Sequence, residues 1–517
     1  MEKKSTILGG TLLLTAANLL LRLISIGFQA FLSRRLGASG LGLLQLISTV
    51  GVFVMLVGTS GIRVAAMYLS AEEFGHRRPG GVRAAMSECL RRGLLISSAV
   101  GVALFLSARP LAAVLLHDGR AALSLQVMGL LLPFSCLCGI MTGYFTACSR
   151  IKQLVAIEIT ERLFSIALTA LLLVLWAKND LRRACCAITL GSSVGCVLDF
   201  FLLYAIYRRN MRDAALPKEP LHLRKRLLKL CVPLALNDFL RAGLNTAEHL
   251  LIPFGLARFG GSFDDAMAAY GTIHAMVFPI LMFPAVILYS VSDLLVPELS
   301  RSRAMERRVR IADLADKCIR MEMLFASAVT GFLFLNAHRL GVLLFDSASA
   351  GHYLRVFAPM ALMLYLDAIV DGMLKGLAEQ VSCVRYNTFT SLLDVLFLLV
   401  LLPRWGIGGY VFSFAVTHAV NLYLSLRRLL KTAAHRPALS DFFCPLLSLL
   451  AALLPPLLLK VGSSAAKNAV FLLLLTAFYL LTGAFRSRDW HWLRQVLRRS
   501  LGRQDVPTRA AAAPRRK

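Results

Sequence analysis

Charge of one sign is what this sequence lacks most. Only 29 of its 517 residues are Asp or Glu, against 57 Lys and Arg, and charged residues make up 17% of the chain. A soluble domain carries about 25%. So little charge excludes a disordered chain, which needs high polarity to stay solvated, and the composition also excludes fibrous and disulfide-stapled secreted proteins. No GxxxxGK[ST] loop occurs and no soluble domain is available to hold one, so ATP is not the direct energy source. The eleven cysteines show no zinc or redox spacing with a histidine, adjacent Cys185 and Cys186 included. Cys136, Cys138, Cys196, Cys231 and Cys383 sit in apolar runs, where cysteine serves as a small polarizable hydrophobe. Neither a metal site nor a cofactor is expected.

Apolar surface is abundant instead. Apolar residues reach 57% and the mean hydropathy is +0.68. The length alone would suggest three or four soluble domains of about 100–200 residues, but no soluble core of that size hides so much apolar surface. The chain belongs in a bilayer. A spanning helix needs ~20 mostly apolar residues, and fourteen stretches qualify: 6–33, 40–70, 88–108, 121–147, 153–177, 184–207, 228–257, 266–299, 318–336, 355–376, 384–402, 408–426, 440–460 and 466–485. Gly, Pro, Asn, Asp or charge marks the breaks, as at Gly37–Gly42, Lys178–Asp180 and Gly260–Gly261. The run behind Lys3 and Lys4 is too long for a signal peptide and lacks a small-residue cleavage site, so it is expected to remain as a helix.

The net charge of +28 would point to nucleic acid in a soluble protein. Here the basic residues form short clusters between apolar stretches, with no continuous stripe and no interleaved aromatics, which excludes nucleic acid and fits topology signals and contact with anionic lipid headgroups. With the N-terminus inside, 40 Lys and Arg lie at the cytosolic side, 13 at the outer side and four within spans. That asymmetry predicts cytosolic termini. The expected organisation is an all-α integral membrane protein: a six-helix N-terminal lobe over 1–212, a basic cytosolic linker over 213–227, a second six-helix lobe over 228–430, two more helices within 431–486 and a basic cytosolic tail over 487–517. In the tail, Asp489–Arg499 sets tryptophans beside a basic face, as interfacial helices do. A shift of 223 residues aligns Phe31–Gly37 with Phe254–Gly260 and puts Arg22 opposite Asn245; a shift of 230 puts Arg63 opposite Asp293. An offset of six spans keeps membrane orientation, so the lobes read as parallel repeats.

Ionisable groups in mid-span are costly and mark function by default. In the first span Thr11, Thr15, Asn18, Arg22, Ser25 and Gln29 follow at steps of three and four, one polar helix face. The seventh span repeats the design with Asp238, Arg241, Asn245 and Glu248. Two such stripes, one opening each lobe, predict a hydrated central cavity. Helix–helix glue is the competing reading. Glu158 and Arg162, four apart, read as a structural pair with Glu161 directed elsewhere. Asp238, Asp293, Asp367 and Asp394 are candidates for ion coupling; Asp367, Asp371 and Lys375 at four-residue steps read equally as salt-bridged packing. His274 reads as a hydrogen-bonded core histidine, and Pro279, Pro284 and Pro297 are expected to bend their span. A cation-coupled drug exporter favours a more apolar cavity with fewer arginines. A membrane glycan polymerase or ligase needs acids on sizeable outer loops, whereas the longest clear one, 337–354, has only Asp346.

The run Asn245-Thr246-Ala247-Glu248-His249-Leu250-Leu251-Ile252-Pro253, then Ala269-Tyr270-Gly271, Met276-Val277-Phe278-Pro279, Phe283-Pro284, Leu295-Val296-Pro297, Gly376-Leu377-Ala378 and Gly406-Ile407-Gly408-Gly409-Tyr410, resembles the stage V sporulation protein B group. Leu36-Gly37-Ala38-Ser39-Gly40-Leu41-Gly42 fits too, and the similarity extends over about residues 6–430. That group belongs to the oligosaccharidyl-lipid/polysaccharide flippase superfamily, with the lipid II flippases and multidrug extrusion proteins. The resemblance implies a fourteen-helix, two-lobed fold in the bacterial plasma membrane. It implies a non-enzymatic transporter that moves undecaprenyl-diphosphate-linked sugars, such as peptidoglycan precursors, outward by alternating access, with cell-wall polymerase machinery as a candidate partner. Related flippases hold the diphosphate with cavity arginines, a position that Arg22 matches. Asn18, Arg241, Asn245 and Glu248 complete the expected substrate set with Arg63, which stands where the group commonly has proline, while Met67 stands where it often has lysine.

Overall fold

The first two expected spans form one element, α1 (Glu2–Thr59), broken at Gly37. Gly37 has φ 72° and ψ 178°, a backbone region open in practice only to glycine, so the turn between 2–36 and 38–59 depends on the missing side chain. The computed structural model describes residues 2–59, 61–76, 78–148, 150–178, 180–212, 223–433, 438–458 and 463–485. The tail over 487–517, most of the 213–227 linker and the side chains of Asn18 and Asp293 lie outside the described residues.

The helices that follow are α2 (Ile62–Gly75), α3 (Pro79–Pro110), α4 (Ala122–Ala147), α5 (Ile151–Leu172), α6 (Leu181–Asn210), α7 (Leu223–Gly260), α8 (Phe263–Gly271), α9 (Phe278–Leu281), α10 (Ala285–Ala304), α11 (Arg308–Phe345), α12 (Ala348–Phe357), α13 (Ala361–Gly376), α14 (Gln380–Trp405), α15 (Ile407–Ala433), α16 (Ser440–Leu458) and α17 (Ser464–Leu481). No strand occurs among the described residues. Eleven of the described helices are long and apolar enough to cross a membrane, twelve with the bent pair Phe263–Leu281 and Ala285–Ala304 counted as one span. The difference from fourteen is local. α1 counts once although Gly37 divides it, and α7 is absent from the eleven because Asp238, Arg241 and Glu248 crowd one stretch of it. The bend of 56° falls where Pro284 withholds a backbone N–H, behind a π-helical turn over Thr272–Val277.

α2 to α6 pack on one another in one group, chiefly α3 on α4, α4 on α6 and α5 on α6. α7 and α10 to α15 form a second, with α7 on α14, α14 on α15 and α10 on α13. α16 and α17 pair and lie against α11. α1 belongs to both groups: it touches α3 to α6, and also α7, α8 and the π-helical turn. At the Gly37 end the backbones meet directly. A Cβ on Gly271 would stand 2.2 Å from the Ala38 carbonyl oxygen, and one on Gly42 2.3 Å from that of Met267. Several helices that start at this end are side-chain capped: Asp180 accepts from the Arg182 amide at 2.9 Å, Ser262 from Asp265 at 3.1 Å and Ser347 from Ala350 at 3.1 Å. Outward, Leu106, Val114, Leu236, Leu473 and Leu481 are left largely exposed. With the backbone bonds of the helices closed within each helix, that surface suits hydrocarbon. The protein is a multi-pass membrane protein.

Candidate functional site

Below the closed Gly37 end a cavity of about 580 Å³ opens between the two groups of helices. α1 supplies Leu21, Arg22 and Ser25, α5 supplies Glu158, Glu161 and Arg162, and the bent span supplies Met282, Val286, Tyr289 and Ser290. Three residues separate Arg22 from Ser25, so both project from one face of α1. The Arg22 Nε is buried with no hydrogen-bond partner. Arg162 reaches across from α5 and donates through Nη2 to Ser25 Oγ at 2.9 Å, and Ser25 Oγ donates to the Leu21 carbonyl at 2.7 Å. One wall of the cavity is therefore charged and the other is largely apolar, with the hydroxyls of Tyr289 and Ser290.

The expected pair of Glu158 with Arg162 does not form, and Glu161, expected to turn away, lines the cavity. Glu158 instead lies within electrostatic range of Asp199 and of Arg63, whose side chain is exposed. Sequence reasoning read this α5 group as a structural pair with Glu161 directed elsewhere, and passed over Asp199, Tyr289 and Ser290. The signal for Arg162 was present: it is one of four arginines placed in mid-span, as Arg22 is.

The α7 stripe is divided. Arg241 and Asn245 are exposed and outside the cavity lining, and Asp238 has Arg241 as its charged neighbour. Glu248, farther along, meets Asp394 of α14 carboxyl to carboxyl. Asp394 is buried and accepts from Ser413 Oγ at 2.5 Å and Thr417 Oγ1 at 3.3 Å. Beside this pair His274 Nε2 lies 3.1 Å from the Tyr410 hydroxyl, and the His249 and His274 rings are 4.7 Å apart. His274 is thus the hydrogen-bonded core histidine expected. Asp367 accepts both contacts from Asn421 Nδ2, at 3.1 and 2.9 Å. Asp371 Oδ1 is buried without a partner and Lys375 is exposed, so the salt-bridged reading of that row does not describe it. No group of three or more His, Cys, Asp or Glu suited to a metal ion occurs among the described residues.

The family model described as polysaccharide biosynthesis protein matches residues 7–303. The chain belongs to that family. Stage V sporulation protein B of Bacillus subtilis (strain 168) is 22% identical over 419 residues, 78% of this chain and 80% of that one. Sporulation protein YkvU of the same organism is 24% identical over 254 residues, 47% of this chain and 56% of that one. Among solved structures, the lipid II flippase MurJ in an inward closed conformation has a TM-score of 0.70 at 12% identity, covering 94% of this chain and 100% of that one. An inward-facing multidrug resistance MATE transporter of the MOP superfamily has 0.62 at 14%, covering 80% and 95%. The fold is the one these transporters share.

Proposed function

We propose that the protein is a flippase: it moves polyprenyl-diphosphate-linked oligosaccharide, a peptidoglycan or other cell-envelope precursor, from the inner to the outer leaflet of the bacterial plasma membrane by alternating access. The observation that carries this reading is the cavity between the two helix groups, lined by Arg22, whose Nε is buried with no hydrogen-bond partner. An arginine at the bilayer centre costs about 2.5–3.5 kcal/mol on insertion scales. A diphosphate offsets that cost with bidentate, charge-assisted hydrogen bonds. Membership of the polysaccharide biosynthesis family and likeness to proteins named as flippases support the same substrate class.

Asn18, Arg63, Arg241, Asn245 and Glu248 complete the proposed substrate path, and the carboxylates of Asp238, Asp293, Asp367 and Asp394 are proposed to couple it to an ion. The reading has both termini in the cytosol, supported by the excess of Lys and Arg on that side, and the lobes over 1–212 and 228–430 rocking about the cavity. Anionic headgroups hold the basic tail, and cell-wall polymerase machinery receives the product. A cation-coupled drug exporter is the second reading. It is favoured by Asp367 and Asp394, whose hydrogen-bond donors among the described residues are an amide and two hydroxyls, and by likeness to MATE structures. Purified protein in liposomes with fluorescent polyprenyl-diphosphate sugars separates the two. Flipping that collapses with an uncoupler or ionophore is expected; drug efflux without flipping selects the exporter, and strict ATP dependence refutes both.

A further inference from the structure

Arg162 has two carboxylates within one turn of its own helix, Glu158 and Glu161; it is the charged neighbour of Glu161, yet no ion pair within 4.0 Å joins it to either among the described residues. Its one hydrogen bond to a described residue crosses to Ser25 on α1. Ser25 stands three residues from Arg22 on the same helix face, so two guanidinium groups line the same wall of the same cavity. Like charges side by side in a partly dehydrated space repel, and helix packing alone gives no reason to place them there. Ser25 is a weak partner for a guanidinium: it offers one neutral oxygen, and its own proton goes to the Leu21 carbonyl. Five N–H donors in a planar fork require more acceptors than that. The opposite wall, Met282, Val286, Tyr289 and Ser290, offers no charge.

Resting on the transport reading above, we propose that Arg162 is a second substrate-binding arginine: with Arg22 it forms a two-guanidinium jaw on the N-terminal wall that grips the diphosphate, and Ser25 parks Arg162 while the cavity is empty. Each arginine takes one phosphoryl group. Glu161 balances Arg162 in the empty cavity. The bent span, with Tyr289 and Ser290, is left to face the sugar. The jaw distinguishes a diphosphate from a monophosphate, because a single phosphoryl group cannot engage both forks fully.

The test uses the full chain in nanodiscs and three probes: undecaprenyl diphosphate, undecaprenyl monophosphate and undecaprenol. Wild type is expected to prefer the diphosphate. Arg162→Ala should lose roughly tenfold to a hundredfold of its diphosphate affinity, the range for a hydrogen bond to a charged group, and much less for the monophosphate, so the preference between them falls. Arg162→Lys should recover only part of it, since a point charge lacks the fork. If Arg162 only neutralised its neighbour Glu161, Arg162→Gln combined with Glu161→Gln would restore the wild-type preference, and that result overturns the jaw. So does an unchanged preference in both Arg162→Ala and Arg162→Lys; Arg162→Lys alone decides it if Arg162→Ala does not fold. A wild type that binds none of the three lipids sinks the transport reading itself, whereas wild-type preference that survives both Arg162 variants sinks only this assignment.

Discussion

Arg22 on α1 and Arg241 on α7 stand on polar stripes written with the same spacing of three and four residues, yet Arg22 lines the cavity while Arg241 is exposed outside its lining. The cause is packing. α1 touches both helix groups, so one face of it meets α5 on one side and the bent span on the other. α7 gives a face to α14, and this buries only the Glu248 end of its stripe against Asp394. Periodicity tells which side chains share a face. It does not tell what the face meets.

The comparison breaks most sharply at the two arginines. Arg22→Ala is expected to lower the initial flipping rate in liposomes by about a hundredfold or more, as removal of one partner from a dehydrated charge pair does, with Arg22→Lys restoring a minor part. Arg241→Ala should cost less than about tenfold. Equal losses would show that both stripes reach the substrate and that the exposed position of Arg241 belongs to one state of the cycle only.

The second expected effect belongs to the buried end of α7. Two carboxyl groups in contact cannot both stay ionised without a cation or a shared proton between them. Glu248→Gln and Asp394→Asn should each reduce gradient-driven transport by about tenfold while the affinity for undecaprenyl diphosphate stays within about twofold. That outcome would move Glu248 from the substrate path, where its stripe places it, to coupling with Asp394; a matching fall in affinity would keep it in substrate binding.

Much of this was legible before any coordinates. Among the described residues each expected stretch is largely helical, Gly37 breaks the first pair of spans and the Pro279–Pro284 region bends its span. These follow from local causes: apolar length, a positive φ, a missing N–H. Arg22 was legible too, because an arginine in mid-span needs a polar destination wherever the helix packs. The α5 residues were not. Glu158 and Arg162 are spaced as a good intrahelical pair, and only the approach of Ser25 from another helix draws Arg162 away. Asp394 had no sign in the sequence that Glu248, 146 positions earlier, would be its neighbour.

A smaller effect tests how the helix groups close at the Gly37 end. Since a Cβ on Gly271 would stand 2.2 Å from a backbone oxygen, Gly271→Leu must push α8 off α1, and overpacking of this kind costs about 1–3 kcal/mol. A melting temperature lower by several degrees is expected, with a smaller drop for Gly271→Ala. Unchanged melting in both would mean that the two helices part easily and that the contact does not hold the end shut.

The smallest expected effect lies at the exposed end of the α7 stripe. Asp238 and Arg241 are three residues apart and are neighbours in charge, but no ion pair within 4.0 Å joins them among the described residues. Arg241 is exposed, and an exposed pair contributes about 0.2–1 kcal/mol at most. A double-mutant cycle of Asp238→Asn and Arg241→Gln, read by thermal melting, should therefore give a coupling below about 0.5 kcal/mol. The same cycle read by flipping rate tells what the pair is for. If Arg241 meets substrate in another state, Arg241→Gln slows flipping whether or not Asp238 is changed. If Asp238 merely holds Arg241, the double variant flips faster than Arg241→Gln alone, because the carboxylate left without its cation has been removed as well. A coupling of 2 kcal/mol or more, the scale of a dehydrated pair, would mean that this end of α7 is closed off from water, and the contrast between the two stripes would fall with it.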